Sequence, residues 1–425
     1  MKTKNTSQGL AVFVVNTGSS SVKYERFLMR GPDDYEVTHE GKITRVKMPE
    51  DTGESLELFS IDVGESLAFL DGADEPESVA GGLTHEESIE YILENSIKDA
   101  PIHVVGNRVV HGREISRSCV IDEAVENVIE EAEAMAPLHN PYALKAIRAI
   151  RSAMPNVIQV AVFDTSPYAN MPLENTVCPI PYSYFEEHGI RRFGFHGTSH
   201  RYVAGQAAQY LGRPLEEAGM VTCHMGNGTS ITAWREGKAV NTSMSFTPTA
   251  GTIMGSRCGD IDPGIVLYLI EALGHTPEQV KHMLNKESGL LGISGVSNDV
   301  QELQEAITTG NDPDGMADLA LDLYAKSVRK YIIQYVYEEL DGNVDAIVFT
   351  AGIGENAEDV RERRIIQRLP SHLRAGFEHT SRIMNDLPSS PGATSKGRFM
   401  VIHTDEELMI AQDALRVHTE YQNGL

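Results

Sequence analysis

The chain has 425 residues, 41% of them hydrophobic and 23% charged, with a formal net charge of −25. Its length exceeds one compact core and predicts two domains; its acidity excludes the basic footprint of a nucleic-acid binder, though not a small anionic ligand, which feels only the local field. No apolar run reaches the roughly 20 residues that span a bilayer, MKTKNTSQGL lacks the apolar stretch of a secretory leader, and Cys119, Cys178, Cys223 and Cys258 show no paired spacing, so a reduced, cytoplasmic setting is expected.

In chain order, VFVV (12–15) reads as a buried strand running into the small-residue turn NTGSSS (16–21), with more strand in YEVTHEGKITRV (35–46). Residues 49–82 are rich in Gly, Glu and Asp and predict a hairpin with loose turns. No Lys or Arg stands between Lys47 and Lys98, which reads as a solvated acidic surface. Amphipathic helices are expected over 86–98 and 122–136, a strand in IHVVGNRVVHG (102–112), a helix in PYALKAIRAIRSAM (141–154), and a strand in VIQVAVFDTS (157–166) that ends on Asp164. After SPYANMP the plan restarts. GMVTCHMGNGTSITAWREGKAV (219–240) reads as strand, glycine turn, strand and turn; long helices follow near 262–273 and 316–340; VDAIVFTAGIGEN (344–356) is again a strand and a glycine turn. HTDEELMIAQD (403–413) predicts a helix whose capping box is Thr404 with Glu407, leaving Glu406 free. Strand–helix alternation implies α/β layers. The recurrence implies two duplicated domains with a cleft between them and a crossover near 165–172.

Three glycine turns follow apolar strands: NTGSSS, HMGNGTS (224–230) and AGIGEN (351–356). Glycine lets backbone approach a ligand, and the N–H and hydroxyl groups around it donate to phosphate oxygens. None has the spacing of a P-loop or a dinucleotide turn. Arg108, within GNRVVHG, reads first as half of a salt bridge. Asp164 stands where α/β clefts place acids, at a strand's C-terminal end. RRFGFHGTSH (191–200) gathers two Arg and two His, and MGSRCGDIDP (254–263) sets Arg257 between Gly255 and Gly259 with no local group to bury or pair it. Cations and acids beside phosphate-type turns point to phosphoryl transfer, which needs positioning and charge more than covalent chemistry.

With NRVVHG, APLHNP, TSMSFTP, GISGVSNDV and TDEELMIA added, the chain resembles the acetate kinase family over nearly its whole length. The resemblance implies an α/β architecture of two duplicated actin/Hsp70/sugar-kinase-like domains, 1–168 completed by a C-terminal helix 408–425, and 169–407. It implies a homodimer that moves phosphate between ATP and acetate, giving ADP and acetyl phosphate, with Mg²⁺ or Mn²⁺ as cofactor and neither nucleic acid nor membrane as partner. Asn16, Asp164, Arg108, Arg257 and His196 become the catalytic set, with His139 beside His196 and Arg257 in stabilising the transition state. Asn16, Asp164 and Glu406 would organise the metal. Ser19, Ser21, Lys23, His224, Asn227 and Gly228 would line the phosphate path, and Asp299, Val300, Gln301, Gly352, Ile353 and Asn356 the nucleotide pocket. Val110, Leu138, Phe195 and Pro248, with Arg108, would hold the acetate.

The chain departs from the family pattern at Asn107 and Arg113, at Ser166-Pro167-Tyr168, in FTPTAGTIMGSRCG, and at Gln301, where the family carries Arg. The alternatives are a propionate or butyrate kinase (Val110 favours the smaller acid), a pyrophosphate-using enzyme, and, from another class, a nucleotide-driven chaperone or filament protein.

Overall fold

The computed structural model describes residues 9–47, 65–98, 100–137, 139–383 and 397–424. Leu138 and residues 49–64 of the expected 49–82 hairpin lie outside them. The chain divides into two compact units, Met1–Ser166 with Asp405–Leu425, and Pro167–Thr404.

Among the described residues the first unit is built on eight strands: β1 (Leu10–Thr17), β2 (Ser21–Met29), β3 (Tyr35–Thr44), β4 (Glu65–Leu70), β5 (Glu77–Ala80), β6 (Val104–Val109), β7 (Cys119–Val120) and β8 (Ile158–Phe163). They run in the order β5-β4-β3-β2-β1-β6-β8-β7. β1, β2 and β3 form an antiparallel meander, and β6 and β8 continue parallel to β1. The apolar run in β1 is explained by this position: all but its first residue are buried, as a strand covered on both faces must be. On one face Ile89 and Ile92 of the His85–Asn95 helix join Ala146 and Ile150 of the Asn140–Ala153 helix against Phe13 and Val15. On β6, a Cβ on Gly106 would stand 2.7 Å from Ile410 of the Glu406–Gln422 helix, so glycine is what lets that helix close in.

The second unit has six among its described residues: β9 (Met220–Met225), β10 (Thr229–Arg235), β11 (Lys238–Thr242), β12 (Ala346–Thr350), β13 (Phe377–Ile383) and β14 (Gly397–Val401). Their order is β11-β10-β9-β12-β14-β13, again an antiparallel meander followed by strands parallel to its innermost member. Val203 and Ala207 of the Gly197–Leu211 helix pack on Met220 and Val348. Leu321, Tyr324 and Val328 of the Met316–Gln334 helix join Val221, Cys223 and Phe349 in the other core.

Several expectations change. Asn16 and Thr17 finish β1 and Ser21 opens β2, so the first turn is only Gly18-Ser19-Ser20. AGIGEN is a six-residue helix, Ala351–Asn356, entered through Ala351 at φ 63°. The helix expected over 122–136 ends at Glu131, and the one over 316–340 ends at Gln334 and widens into a π turn. The C-terminal helix is capped by Asp405, whose side chain accepts from the Leu408 N–H at 2.8 Å. Thr404 and Glu407 do not form its capping box, because both side chains are drawn to tertiary partners. All four cysteines are free. Among the described residues no helix is long and apolar enough to cross a membrane.

Candidate active-site groups

In the first unit the charged residues converge on Arg108. It lies inside β6, and it has acidic partners, as its reading as half of a salt bridge expects. Its Nη2 and Nε donate to Asp164 Oδ2 at 2.8 and 3.2 Å. Its Nη1 reaches Asn16 Oδ1 at 3.1 Å and Glu406 at 3.3 Å. β1 and β8 flank β6, which is why residues distant in sequence meet here. Burial opposes the Arg108 charge, but Asp164 and Glu406 outweigh it and raise its pKa. Burial pushes the Glu406 carboxyl up to about 7 against the pull of Arg108, with Asp164 and Glu407 adding to the rise. Asn16 Nδ2 donates to Glu407 Oε1 at 2.9 Å, which turns its amide oxygen toward Arg108. Glu407 is thus an orienting group, not a cap.

Asn16, Asp164 and Glu406, the expected metal set, are brought together. Their donors are all oxygens, the chemistry that suits a hard cation such as Mg²⁺. In this arrangement they face the Arg108 guanidinium, and among the described residues no cluster of three or more His, Cys, Asp or Glu side chains is placed to hold a metal alone. Beside them the first turn is pinned by His85, whose Nε2 donates to the Gly18 carbonyl at 2.8 Å. Lys23 is exposed on β2, in register with Asn16. Val110, buried, directly follows β6, and His139 is the N-cap residue of the Asn140–Ala153 helix without a side-chain cap bond.

In the second unit the candidate residues are mostly hydroxyls, amides and imidazoles. His196 enters the Gly197–Leu211 helix at φ 55°, a conformation few residues with side chains adopt. Its ring stacks on His224 with centroids 4.1 Å apart, and its Nδ1 lies 2.8 Å from Ser230 Oγ. His224 Nδ1 in turn meets Ser199 Oγ at 2.8 Å. The GNG turn runs beside them. A Cβ on Gly228 would come within 3.2 Å of the His196 ring and 3.4 Å of Arg257 Nη1, so Gly228, His196 and Arg257 share one spot. Asn227 is exposed, and its Oδ1 leaves no room for a side chain at Gly255.

Arg257 is not without a partner. Its Nη1 donates to the Pro248 carbonyl at 2.9 Å. Among the described residues, however, no carboxylate pairs with it, and burial lowers its pKa. Phe195 is buried. Among the nucleotide residues, Asp299 caps the Val300–Thr309 helix by accepting from the Gln301 N–H at 2.6 Å, and Gln301 is exposed on its first turn. The Val300 side chain belongs to the core and Ile353 packs against it, so neither offers a polar contact. Asn356 bonds back to the Gly352 carbonyl.

Three groups escaped the sequence reading. Glu407 orients Asn16. His200 lies four residues after His196, on one helix face, and both touch Ser230. Lys286, shifted down by desolvation and by the Arg257 charge, adds a second cation. Only His200 left a signal, the H-x-x-x-H spacing. The departures at Asn107 and Arg113 are structural: Asn107 donates to Gln159 and Arg113 pairs with Glu131.

The model of the acetokinase family matches residues 11–412. An acetate kinase of Macrococcus caseolyticus is 40% identical over 419 residues, covering 95% of this chain and 98% of that protein. Among solved structures, Porphyromonas gingivalis acetate kinase superposes with TM-score 0.80 at 35% identity, covering 96% of this chain and 99% of that one. A propionate kinase from Francisella tularensis does so with TM-score 0.80 at 34% identity, covering 96% and 100%. With matches spanning both units, the chain belongs to the acetokinase family.

Proposed function

We propose that the chain is an acetate kinase, transferring the γ-phosphoryl group of ATP to acetate to give acetyl phosphate and ADP. The observation that carries this reading is Arg257: a partly buried guanidinium in a chain of net charge −25, with no carboxylate partner among the described residues, beside a glycine turn and a histidine. A partly buried cation without a counter-charge is costly. A site that keeps one is suited to an anion.

An acetate oxygen attacks the γ-phosphorus in line, the bond to the ADP oxygen breaks, and no protein nucleophile is needed. Arg257 and His196 donate to the phosphoryl oxygens as charge spreads over them. Arg108, held by Asp164 and Glu406, serves the acetate carboxylate. Asn16, Asp164 and Glu406 would hold Mg²⁺, which would supply charge neutralisation for the phosphates. Val110 would bound the methyl group. The Pro263–Glu271 helix, PGIVLYLIE, has no buried side chain and exposes Ile265, Leu267 and Tyr268. So apolar a face suits a second copy, and a dimer at micromolar concentration is expected by sedimentation. The four free thiols suit a reducing, cytoplasmic compartment.

The test is kcat/KM for acetate, propionate and butyrate in a coupled assay of ADP formation. Acetate should lead, and Val110→Ala should lower the KM for propionate several-fold, by ~1–2 kcal/mol. ADP formation independent of any carboxylic acid would refute the reading. A lead for propionate would move the chain to the related activity.

A further inference from the structure

The chain has a single tryptophan, Trp234 on β10, almost fully buried. Its Nε1–H donates to Thr222 Oγ1 at 3.0 Å. An indole nitrogen can only donate, so the Thr222 hydroxyl cannot pass its own proton that way. Thr222 is fully buried, and among the described residues the one other hydrogen-bonding partner of that hydroxyl is His200 Nδ1, at 2.7 Å. A buried hydroxyl hydrogen goes to an acceptor where one is in reach, so Thr222 donates to His200 Nδ1.

The fully buried His200 is held neutral, its pKa driven well down by burial and by neighbouring His224. With Nδ1 accepting, its proton sits on Nε2, which lies 2.7 Å from Ser230 Oγ. Ser230 is also fully buried and touches two ring nitrogens, His200 Nε2 and His196 Nδ1. It accepts from the first and must donate to the second.

We infer that Trp234, Thr222, His200 and Ser230 form a one-way hydrogen-bond chain that holds neutral His196 with its proton on Nε2. These four are positioning residues, acting through His196. Nε2 is one of the two His196 ring atoms nearest the point where a Cβ on Gly228 would stand, which Arg257 Nη1 also approaches. The consequence for rate rests on the proposed function. A phosphoryl oxygen only accepts, so His196 serves it as the Nε2–H tautomer and would oppose it with a bare Nε2 lone pair. The reverse polarity would leave the Thr222 hydrogen buried without an acceptor.

The test is side-chain nitrogen NMR on histidine-labelled full-length protein without ligands, where protonated and bare ring nitrogens resonate far apart. Both His196 and His200 should carry the proton on Nε2. A proton predominantly on Nδ1 of either ring would overturn the inference, and this needs no variant to fold. In Ser230→Ala the His196 nitrogen shifts should move toward averaged values. Its kcat should fall about 3–10-fold with KM for ATP within about twofold, and Ser230→Thr should restore both. A folded Ser230→Ala protein with unchanged His196 shifts and wild-type kcat would also overturn it. If the tautomers are as stated and no acetate-dependent ADP appears, the functional reading fails and the chain of donors stands.

Discussion

The two units share a strand plan and hold their polar residues in opposite ways. In the first, the central group is a guanidinium locked between two carboxylates and an amide. In the second, hydroxyls and stacked imidazoles dominate, and the Arg257 guanidinium beside them rests on a backbone carbonyl. Arg108 therefore has a structural part in the fold, since removing it strands buried charge. Among the described residues Arg257 has no carboxylate to strand, so its removal should cost the fold little.

The largest effect that could break this comparison comes from Arg108→Leu. Asp164 is 1% exposed and would lose its counter-charge. A fall in kcat of at least about 10²-fold is expected, together with a stability loss of ~3–5 kcal/mol in denaturant titration, as for one member removed from a buried ion pair. Unchanged stability would show that Asp164 and Glu406 do not need the guanidinium. A smaller effect follows from Glu407→Ala, which frees the Asn16 amide to rotate. A hydrogen bond to a charged group is worth ~1.5–3 kcal/mol, so kcat should drop about tenfold or more. Wild-type turnover would remove Glu407 from the site.

The pH response sharpens the contrast further. In the first unit, burial and then Glu407, Asp405 and Glu40 push the Glu25 carboxyl up to about 8 from 4.5. Between those values the folded chain keeps a proton that the unfolded chain has released. This group's contribution is full below about pH 4.5 and is lost as pH rises through 8. Glu25→Gln should remove that loss, and so gain on the order of 1 kcal/mol over the wild type between pH 6 and pH 8 after allowance for solvent screening. Parallel stability curves for the two proteins would contradict it. Buried His200 in the second unit behaves oppositely: its pKa is lowered, so its contribution is lost as pH falls below about 6.5. The smallest effect concerns Gln301, exposed on its helix's first turn. Gln301→Arg should lower the KM for ATP by the equivalent of ~0.5–2 kcal/mol through cation–π contact with the base. In the unmutated protein GTP should support turnover within about tenfold of ATP. A preference for ATP above roughly 100-fold would place base recognition elsewhere.

The strands and the residues at their ends were legible because each signal is local: a β-branched run in β1, a glycine turn at 226–228, an acid closing β8. Partnerships were not legible. Arg108 was read as either a salt bridge or a grip on substrate and is available for both, and its partners lie 56 and 92 residues away in sequence. The Asn16–Glu407 bond spans 391 residues, and nothing in TDEELMIA distinguishes a capping glutamate from one pulled to a strand end. The Thr404 hydroxyl was likewise taken for a cap and instead meets Ser199 Oγ at 2.8 Å. The chain from Trp234 to His196 joins two strands and a helix through hydroxyls that carry no pattern in sequence. Sequence periodicity reports burial and secondary structure, whereas hydrogen-bond direction depends on which buried groups lack any other partner.

The central claim is that an arginine without a carboxylate partner is the charge left available for the transferring group. Arg257→Leu tests it most directly when kcat for acetate-dependent ADP formation and the denaturation midpoint are measured on the same preparation. The account predicts a fall in kcat of about 10²–10³-fold with stability within ~1 kcal/mol of wild type, since one hydrogen bond to the Pro248 carbonyl is lost and no buried carboxylate is stranded. Near-wild-type turnover, or a stability loss as large as that of Arg108→Leu, would contradict it.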